Sequence, residues 1–333
     1  MKKRQWLWVA ILLVVVGVVT ACGKAPEPKA EPKAQAAKAS REIRIAYQTD
    51  STVIKLAKAK GWYDEEFAKD GTTVKYASFL SGPPIIEGLS GDKQDIGIVG
   101  DMPPVTAKAA GVDLKVIARS GVVPFTNAVV IPPDSPIKSV ADLKGKKVGL
   151  QLGSASHHLL VLLLQKEGIK VSDVNVVNLA TSDQQAALES RNIDAVVTWE
   201  PWVAILENAK AGKVLVDQRD IKRHISVYIL RNEFGVKNPD LVERFLRVNQ
   251  KAIEYIKQHP DEVLEILSKE SKLSVPILAK AFKATDWDQR ILDADIEGFQ
   301  KVKEFLQAQK VLKKDFDVKD LIDRSYLQKA GIL

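Results

Sequence analysis

The sequence predicts an α/β protein of two lobes, each a mostly parallel sheet wound with helices. Three observations carry that expectation. Strand-like and helix-like segments alternate from residue 41 onward. The alternation runs in two successive groups that split near Ser120–Asn127, and from Asn238 the chain turns mostly helical. Such a tail returns to pack on the first lobe, so the lobes share two crossing segments. The boundaries expected are 41–123 with 228–333 for the first lobe and 124–227 for the second.

In order, IRIAYQ (43–48) reads as a strand and LAKAKGWYDEEFAKDG (56–71) as a helix. VKYASFL (74–80) alternates as a half-buried strand does. PPIIEGLSG opens with prolines, which a first helical turn tolerates. DIGIVG (95–100) is the continuous apolar run of a strand covered on both faces. Pro103-Pro104 and VTAKAAG predict another helix, and DLKVIARS (113–120) another strand. The second group begins with the strand NAVVIPP (127–133), the short helix SVADLKG and the strand KKVGLQL (146–152). SASHHLLVLLLQKEG (154–168) is a helix ending at Gly168, followed by DVNVVNL (173–179) as a strand. SDQQAALESRN is a helix and IDAVVTW (193–199) a buried strand, with Val214–Val216 and SVYILR (226–231) as the last strands. In the tail, Leu241, Phe245, Val248, Ala252 and Tyr255 recur at steps of four and three, one face of a helix. No internal repeat is evident.

The 333 residues, 46% apolar and 27% charged, are ordinary globular values and long enough for two cores. The formal charge of +7 would point to polyanions if it lay on the folded part. It does not. Lys2, Lys3 and Arg4 precede an apolar run of 16 residues, Trp6 to Ala21, short for a membrane span and patterned as an export signal over residues 1–22. GKAPEPKAEPKAQAAKAS (23–40), with four Lys and two Glu, reads as a solvated tether. Residues 41–333 keep 42 basic against 40 acidic residues, so a nucleic-acid partner loses its support. The single cysteine, Cys22, excludes an internal disulfide and, with four histidines in the chain, argues against a zinc site. Val19-Thr20-Ala21-Cys22 resembles a bacterial lipoprotein box, with Cys22 as the lipidated residue; the alternative is an uncleaved signal anchor.

Ligands of open α/β sheets lie outside the carboxyl ends of the strands. After the expected strands come Gln48-Thr49-Asp50-Ser51, Ser81-Gly82-Pro83, Gly100-Asp101-Met102, Gly153-Ser154-Ala155-Ser156-His157 and Trp199-Glu200-Pro201-Trp202. Gly153 permits a tight strand exit, and Ser154 or Ser156 can cap the following helix. The free N–H groups and positive end of that helix suit an oxyanion, unless it is simply a capped helix. Trp199 and Trp202 can wall off an apolar ligand or cover a sheet edge. Asp101 can accept a bond from a ligand or cap the Pro103 helix. No nucleophile elbow, phosphate loop or dinucleotide fingerprint is present. No cofactor or metal is therefore expected.

Taken in order, YQ (47–48), SGPP (81–84), GDMPP (100–104), SPIKSVADLKGKKVG (135–149), GSASHHLL (153–160), TWEPW (198–202) and SVYIL (226–230) resemble the periplasmic binding proteins of ABC importers for aliphatic sulfonates. These belong to the wider sulfonate, taurine and nitrate group. The resemblance covers most of residues 41–333 and implies the type II two-lobed fold with two hinge segments. It implies a small anion between the lobes at the helix start Ser154–His157. Gln48, Ser81, Gly82, Asp101 and Met102 would line the first-lobe wall. Trp199, Glu200 and Ser226 would line the second-lobe side, with Tyr228 near the hinge. The implied partners are an ABC permease with its ATPase and the membrane, through a lipid on Cys22; a monomer is expected. Two departures stand out: His158 replaces an Asn, and Glu200-Pro201-Trp202 replaces Asp-Pro-Tyr. Glu200 repels a bare anion unless it meets a positive part of the ligand, so amino-sulfonates, nitrate and carboxylates stay open. An enzyme on the same scaffold is the competing expectation, and a surface adhesin or sensor subunit the third.

Overall fold

The computed structural model describes residues 41–333. The export segment, Cys22 and the tether lie outside the described residues. The first group comprises β1 (Glu42–Gln48), α1 (Thr52–Ala59), α2 (Trp62–Ala68), β2 (Thr73–Phe79), α3 (Gly82–Ser90), β3 (Ile96–Gly100), α4 (Met102–Ala109) and β4 (Leu114–Gly121). The stretch expected as one helix over 56–71 is two, broken where Gly61 adopts a left-handed φ of 69°.

The second group is β5 (Asn127–Ile131), β6 (Lys147–Leu150), α5 (Ala155–Lys166), β7 (Asn175–Asn178), α6 (Gln184–Glu189), β8 (Ala195–Trp199), α7 (Trp202–Asn208) and β9 (Lys213–Asp217). The return consists of β10 (Ser226–Arg231), α8 (Asn232–Lys237), α9 (Pro239–Gln258), α10 (Pro260–Ser271), α11 (Val275–Ala284), α12 (Asp293–Ala308) and α13 (Ser325–Lys329).

The strands form two five-stranded sheets, ordered β2-β1-β3-β10-β4 and β7-β6-β8-β5-β9. In each sheet one strand runs against the rest: β10 is antiparallel to β3 and β4, and β5 to β8 and β9. Both are the first strands after a crossing. The chain leaves β4 at Gly121, at the carboxyl ends, and enters the second sheet at the same level, with Asn127 opposite Trp199. It can then only run outward. β10 repeats this on return, with Ser226 opposite Gly100 and Gly121. Ser226, expected on the second-lobe side, is therefore in the first sheet, because the crossing ends before it.

Alternation along β5 divides the second core. Val129 and Ile131 join one apolar cluster with Leu159, Leu160, Leu163 and Leu164 of α5, while Ala128 and Val130 join another with Leu188 and Val203. The first sheet shares one larger core with the returning helices, where Leu241, Phe245, Val248 and Ala252 are buried. Tyr255, the last residue of that stripe, is half buried and donates its hydroxyl to Glu262 Oε2 at 2.7 Å.

Candidate ligand-binding cleft

Because every strand except β5 and β10 ends at the junction, the loops between the sheets converge there. They enclose two adjoining cavities that share Asp50, His224 and Ser226. The smaller has a volume of about 30 Å³ and is lined by Gln48, Gly82, Gly100, Pro103, Asn127, Ser154, Ala155 and Trp199 as well. The larger, about 80 Å³ by the same measure, is lined by Thr49, Lys55, Ser120, Thr126, Glu200 and an apolar wall from α10, α11 and Trp287.

The smaller cavity ends on the start of α5. Gly153, at φ 74°, turns the chain from β6 into the helix. Ser154 Oγ donates to the Gln151 carbonyl at 2.7 Å and accepts the His157 N–H at 3.4 Å. The amides of Ala155 and Ser156 have no acceptor within the helix, as the first N–H groups of any helix do not. Facing them, Gln48 Nε2 donates to the Ile98 carbonyl at 2.9 Å, which anchors its amide at the wall. Two of the helices at this end, α3 and α4, carry Pro in their first turn and offer fewer donors. Of the helix starts that line the smaller cavity, only α5 is free of proline in its first turn.

Six of the expected residues line the smaller cavity: Gln48, Gly82, Ser154, Ala155, Trp199 and Ser226. Glu200 lines the larger one. The rest are placed otherwise. Ser81 and Met102 are buried behind the wall, Met102 in the first-lobe core. Ser156 is fully buried and donates to Asn127 Oδ1 at 2.8 Å, tying α5 to the first crossing segment. His157 turns its Nδ1 toward the Gly153 N–H at 3.5 Å, away from both cavities. Tyr228 lies under Ser120, to whose Oγ it donates at 3.2 Å, and burial raises its phenol above the ordinary value.

Asp101 neither caps α4 nor lines these cavities. It forms a buried ion pair with Lys222 (2.7 Å) and meets His224 Nδ1 at 3.3 Å. Burial alone would raise its carboxyl; Lys222 and then His224 overcome that and hold it well below the carboxylate range. Lys222 Nζ also lies 3.3 Å from His158 Nδ1. An ammonium only donates, so that ring nitrogen is the acceptor. Burial first, then Lys222, lowers the His158 pKa to about 3.

Asp50, Lys55, Asn127, His224 and Trp287 are wall residues that the sequence did not single out. Asp50 stood in the cluster after the first strand, and Asn127 opened a predicted strand. Lys55 and Trp287 gave no signal, one being a helical lysine and the other a tail residue. Asp50 lines both cavities and keeps exposed surface, while desolvation by the surrounding protein pushes its carboxyl up, against the opposing fields of Lys55 and His224. Lys55 is lowered by burial and donates to the Thr49 carbonyl at 2.6 Å. Glu200 is raised by burial, with Lys280 pulling the other way at 3.4 Å. Among the described residues no group of His, Cys, Asp or Glu could hold a metal, and no helix is long and apolar enough to cross a membrane.

The chain is similar to known proteins over most of its length. A protein of Bacillus subtilis (strain 168) named for binding aliphatic sulfonates is 32% identical over 332 residues, 99% of this chain and 97% of its own length. The taurine-binding periplasmic protein of Escherichia coli (strain K12) is 31% identical over 240 residues, 70% of this chain and 72% of that protein. The crystal structure of the periplasmic aliphatic sulphonate binding protein from Escherichia coli matches with a TM-score of 0.74 and 27% identity, over 85% of this chain and 92% of that one. The fold is therefore the two-lobed periplasmic binding protein fold. The family model described as NMT1/THI5 like matches residues 48–263, and the chain belongs to that family.

Proposed function

We propose that this protein is the extracytoplasmic capture subunit of an ABC importer, enclosing a small organosulfonate-like anion between its lobes and presenting it to the permease. One observation carries this reading: the free N–H groups at the start of α5 close the smaller cavity, where an anionic head fits and a helix N-terminus favours negative charge. The two crossing segments act as the hinge. Gln218 joins them, accepting the Asn127 side-chain N–H at 2.7 Å and donating to the Val123 carbonyl at 3.2 Å. Closure excludes water from the head group and strengthens its bonds to the helix start. Cys22 carries the lipid that anchors the protein to the cell membrane, in the periplasm or at the outer face of the cytoplasmic membrane, and the tether gives the lobes reach. Palmitate labelling in the native host, lost in C22A, tests the anchor.

The relatives named for sulfonate and taurine binding support the ligand class. A thermal-shift panel of ethanesulfonate, taurine, nitrate and acetate is the test. A stabilising shift with the sulfonates is expected, and no shift with any of them removes the ligand class. A second reading, an amino-sulfonate such as taurine, is favoured by the carboxylates of Asp50 and Glu200, which line the larger cavity and could meet an ammonium. An enzymatic role would be shown by turnover of a bound ligand.

A further inference from the structure

The larger cavity is built unlike the head subsite. Leu267, Ile277, Leu278, Ala281, Phe282 and Trp287 supply a continuous apolar wall. Phe282 and Trp287 pack with ring centroids 5.5 Å apart. Volume separates the subsites further: the smaller cavity has about 30 Å³ and the larger about 80 Å³.

The far wall of that chamber is not a regular element. Trp287 lies in the stretch between α11 and α12, and its position is set from β4. The Arg119 amide donates to the Gln289 carbonyl at 3.1 Å, and Val122 exchanges backbone bonds with Asp286 at 2.9 and 3.2 Å. The Arg119 side chain, 1% exposed, completes the attachment. Its Nε donates to the Asp288 carbonyl at 2.9 Å, and its Nη2 meets Asp286 Oδ2 at 3.0 Å and Asp288 Oδ2 at 3.1 Å. Its Nη1 faces Asp295 Oδ2 at 3.6 Å, at the start of α12. The residues on either side of Trp287 are thus both clamped by one buried guanidinium, whose planar fork suits several carboxylates at once.

We infer that this cleft selects its ligand by tail size, favouring sulfonates with a bulky apolar tail over short ones, and that Arg119 is the positioning residue that sets this preference by holding Trp287 in the far wall. The inference rests on the sulfonate reading above. A short tail leaves the wall of α10, α11 and Trp287 uncovered. A tail that fills the chamber removes apolar surface from water at both partners.

Calorimetric dissociation constants for ethanesulfonate, taurine, hexanesulfonate and benzenesulfonate, on the purified protein and on W287A, R119K and D286N, test this. Hexanesulfonate and benzenesulfonate are expected to bind about tenfold tighter, or more, than ethanesulfonate and taurine. That preference should fall about fivefold in W287A and about threefold in R119K and D286N, with ethanesulfonate itself changed by less than about twofold. D286N alters a carboxylate at the rim, so it reports even if the buried R119K fails to fold. Loosening of the whole fold weakens all four ligands together and leaves the preference intact; that outcome overturns the role of Arg119. Ethanesulfonate or taurine binding as tightly as hexanesulfonate overturns the tail preference. If none of the four binds, the sulfonate reading itself fails and the inference goes with it.

Discussion

At Gly100, the last residue of β3, the two lobes and the hinge come together. A Cβ built there would lie 2.8 Å from His224 Cε1 and 3.5 Å from the Ala155 Cβ at the start of α5. The first distance is shorter than real contacts allow, so in G100A the His224 ring on the cavity wall must shift. Nothing in the first-lobe core is disturbed, so the expected result is sulfonate binding about tenfold weaker with the melting temperature nearly unchanged. Calorimetry beside a thermal melt checks both halves. Glu200 offers a second residue-scale case. Its Oε2 accepts the Ala204 N–H at 3.0 Å, while Oε1 faces Lys280 Nζ at 3.4 Å. Burial raises its carboxyl, so the folded state binds its proton more readily than the unfolded chain and loses stability as pH rises past the ordinary carboxylate range. Glutamine keeps the acceptor and removes the charge. E200Q should therefore melt higher than wild type at pH 8, and the advantage should fade as pH falls toward 4.

The elements meet at a second place, behind the hinge. Asp101 at the start of α4, Lys222 and His224 on the return segment and His158 on α5 form one buried cluster, with the Phe305 ring of α12 4.4 Å from that of His158. Arg223 reaches Asp295 at 3.0 Å beside it, joining the return segment to α12. His158 is held near a pKa of 3, below the ordinary 6.5, so the folded state binds fewer protons than the unfolded chain between those values. Its contribution is complete above pH 6.5 and is lost as pH falls through that window, at about 1.4 kcal/mol per unit. From pH 7.5 to 5.0 the wild type should lose about 2 kcal/mol that H158N does not, read as the difference between their denaturant midpoints at the two pH values. His157, also lowered by burial, acts in the same direction in both proteins and cancels. The outer bridge behaves differently. Lys280 of α11 pairs with Glu207 of α7 at 2.7 Å, but both ends are well exposed. E207Q, which leaves Lys280 facing Glu200, should change stability by less than about 1 kcal/mol, and raised salt should erase the difference.

On the scale of the molecule, the two lobes are not equivalent units. The second sheet is one continuous stretch, β5 to β9, with its own two apolar clusters. The first sheet needs β10 between β3 and β4, and its core needs the returning helices. A fragment of residues 122–225 should therefore melt cooperatively with α/β circular dichroism. A fragment of residues 41–123, left with two unpaired central edges and an uncovered apolar face, should not. A folded 41–123 fragment would mean that the return contributes less than its contacts imply.

Much of this was legible in the sequence. Apolar runs and turn residues place the strands, and the clusters at their ends mark the cleft, because an α/β sheet puts its ligand there whatever the side chains. Gln48, Gly82, Ser154, Ala155, Trp199 and Glu200 follow from that rule alone. The local pattern could not show which strand-end residues face one another. Asp101 and His224 are 123 positions apart, Arg119 and Asp286 167 apart, and each pair meets only because the chain crosses and returns. For the same reason Ser226 belongs to the first sheet and Trp287, far along the tail, closes a cavity begun at Thr49. The sequence by itself determined the order of elements, the near-neutral folded part and the helix start that suits an anion, since these depend on neighbours along the chain. Only the tertiary structure decided which carboxylates are enclosed, which cations neutralise them and how much room a ligand's tail has, since burial and Coulomb energy depend on distances that chain order does not set.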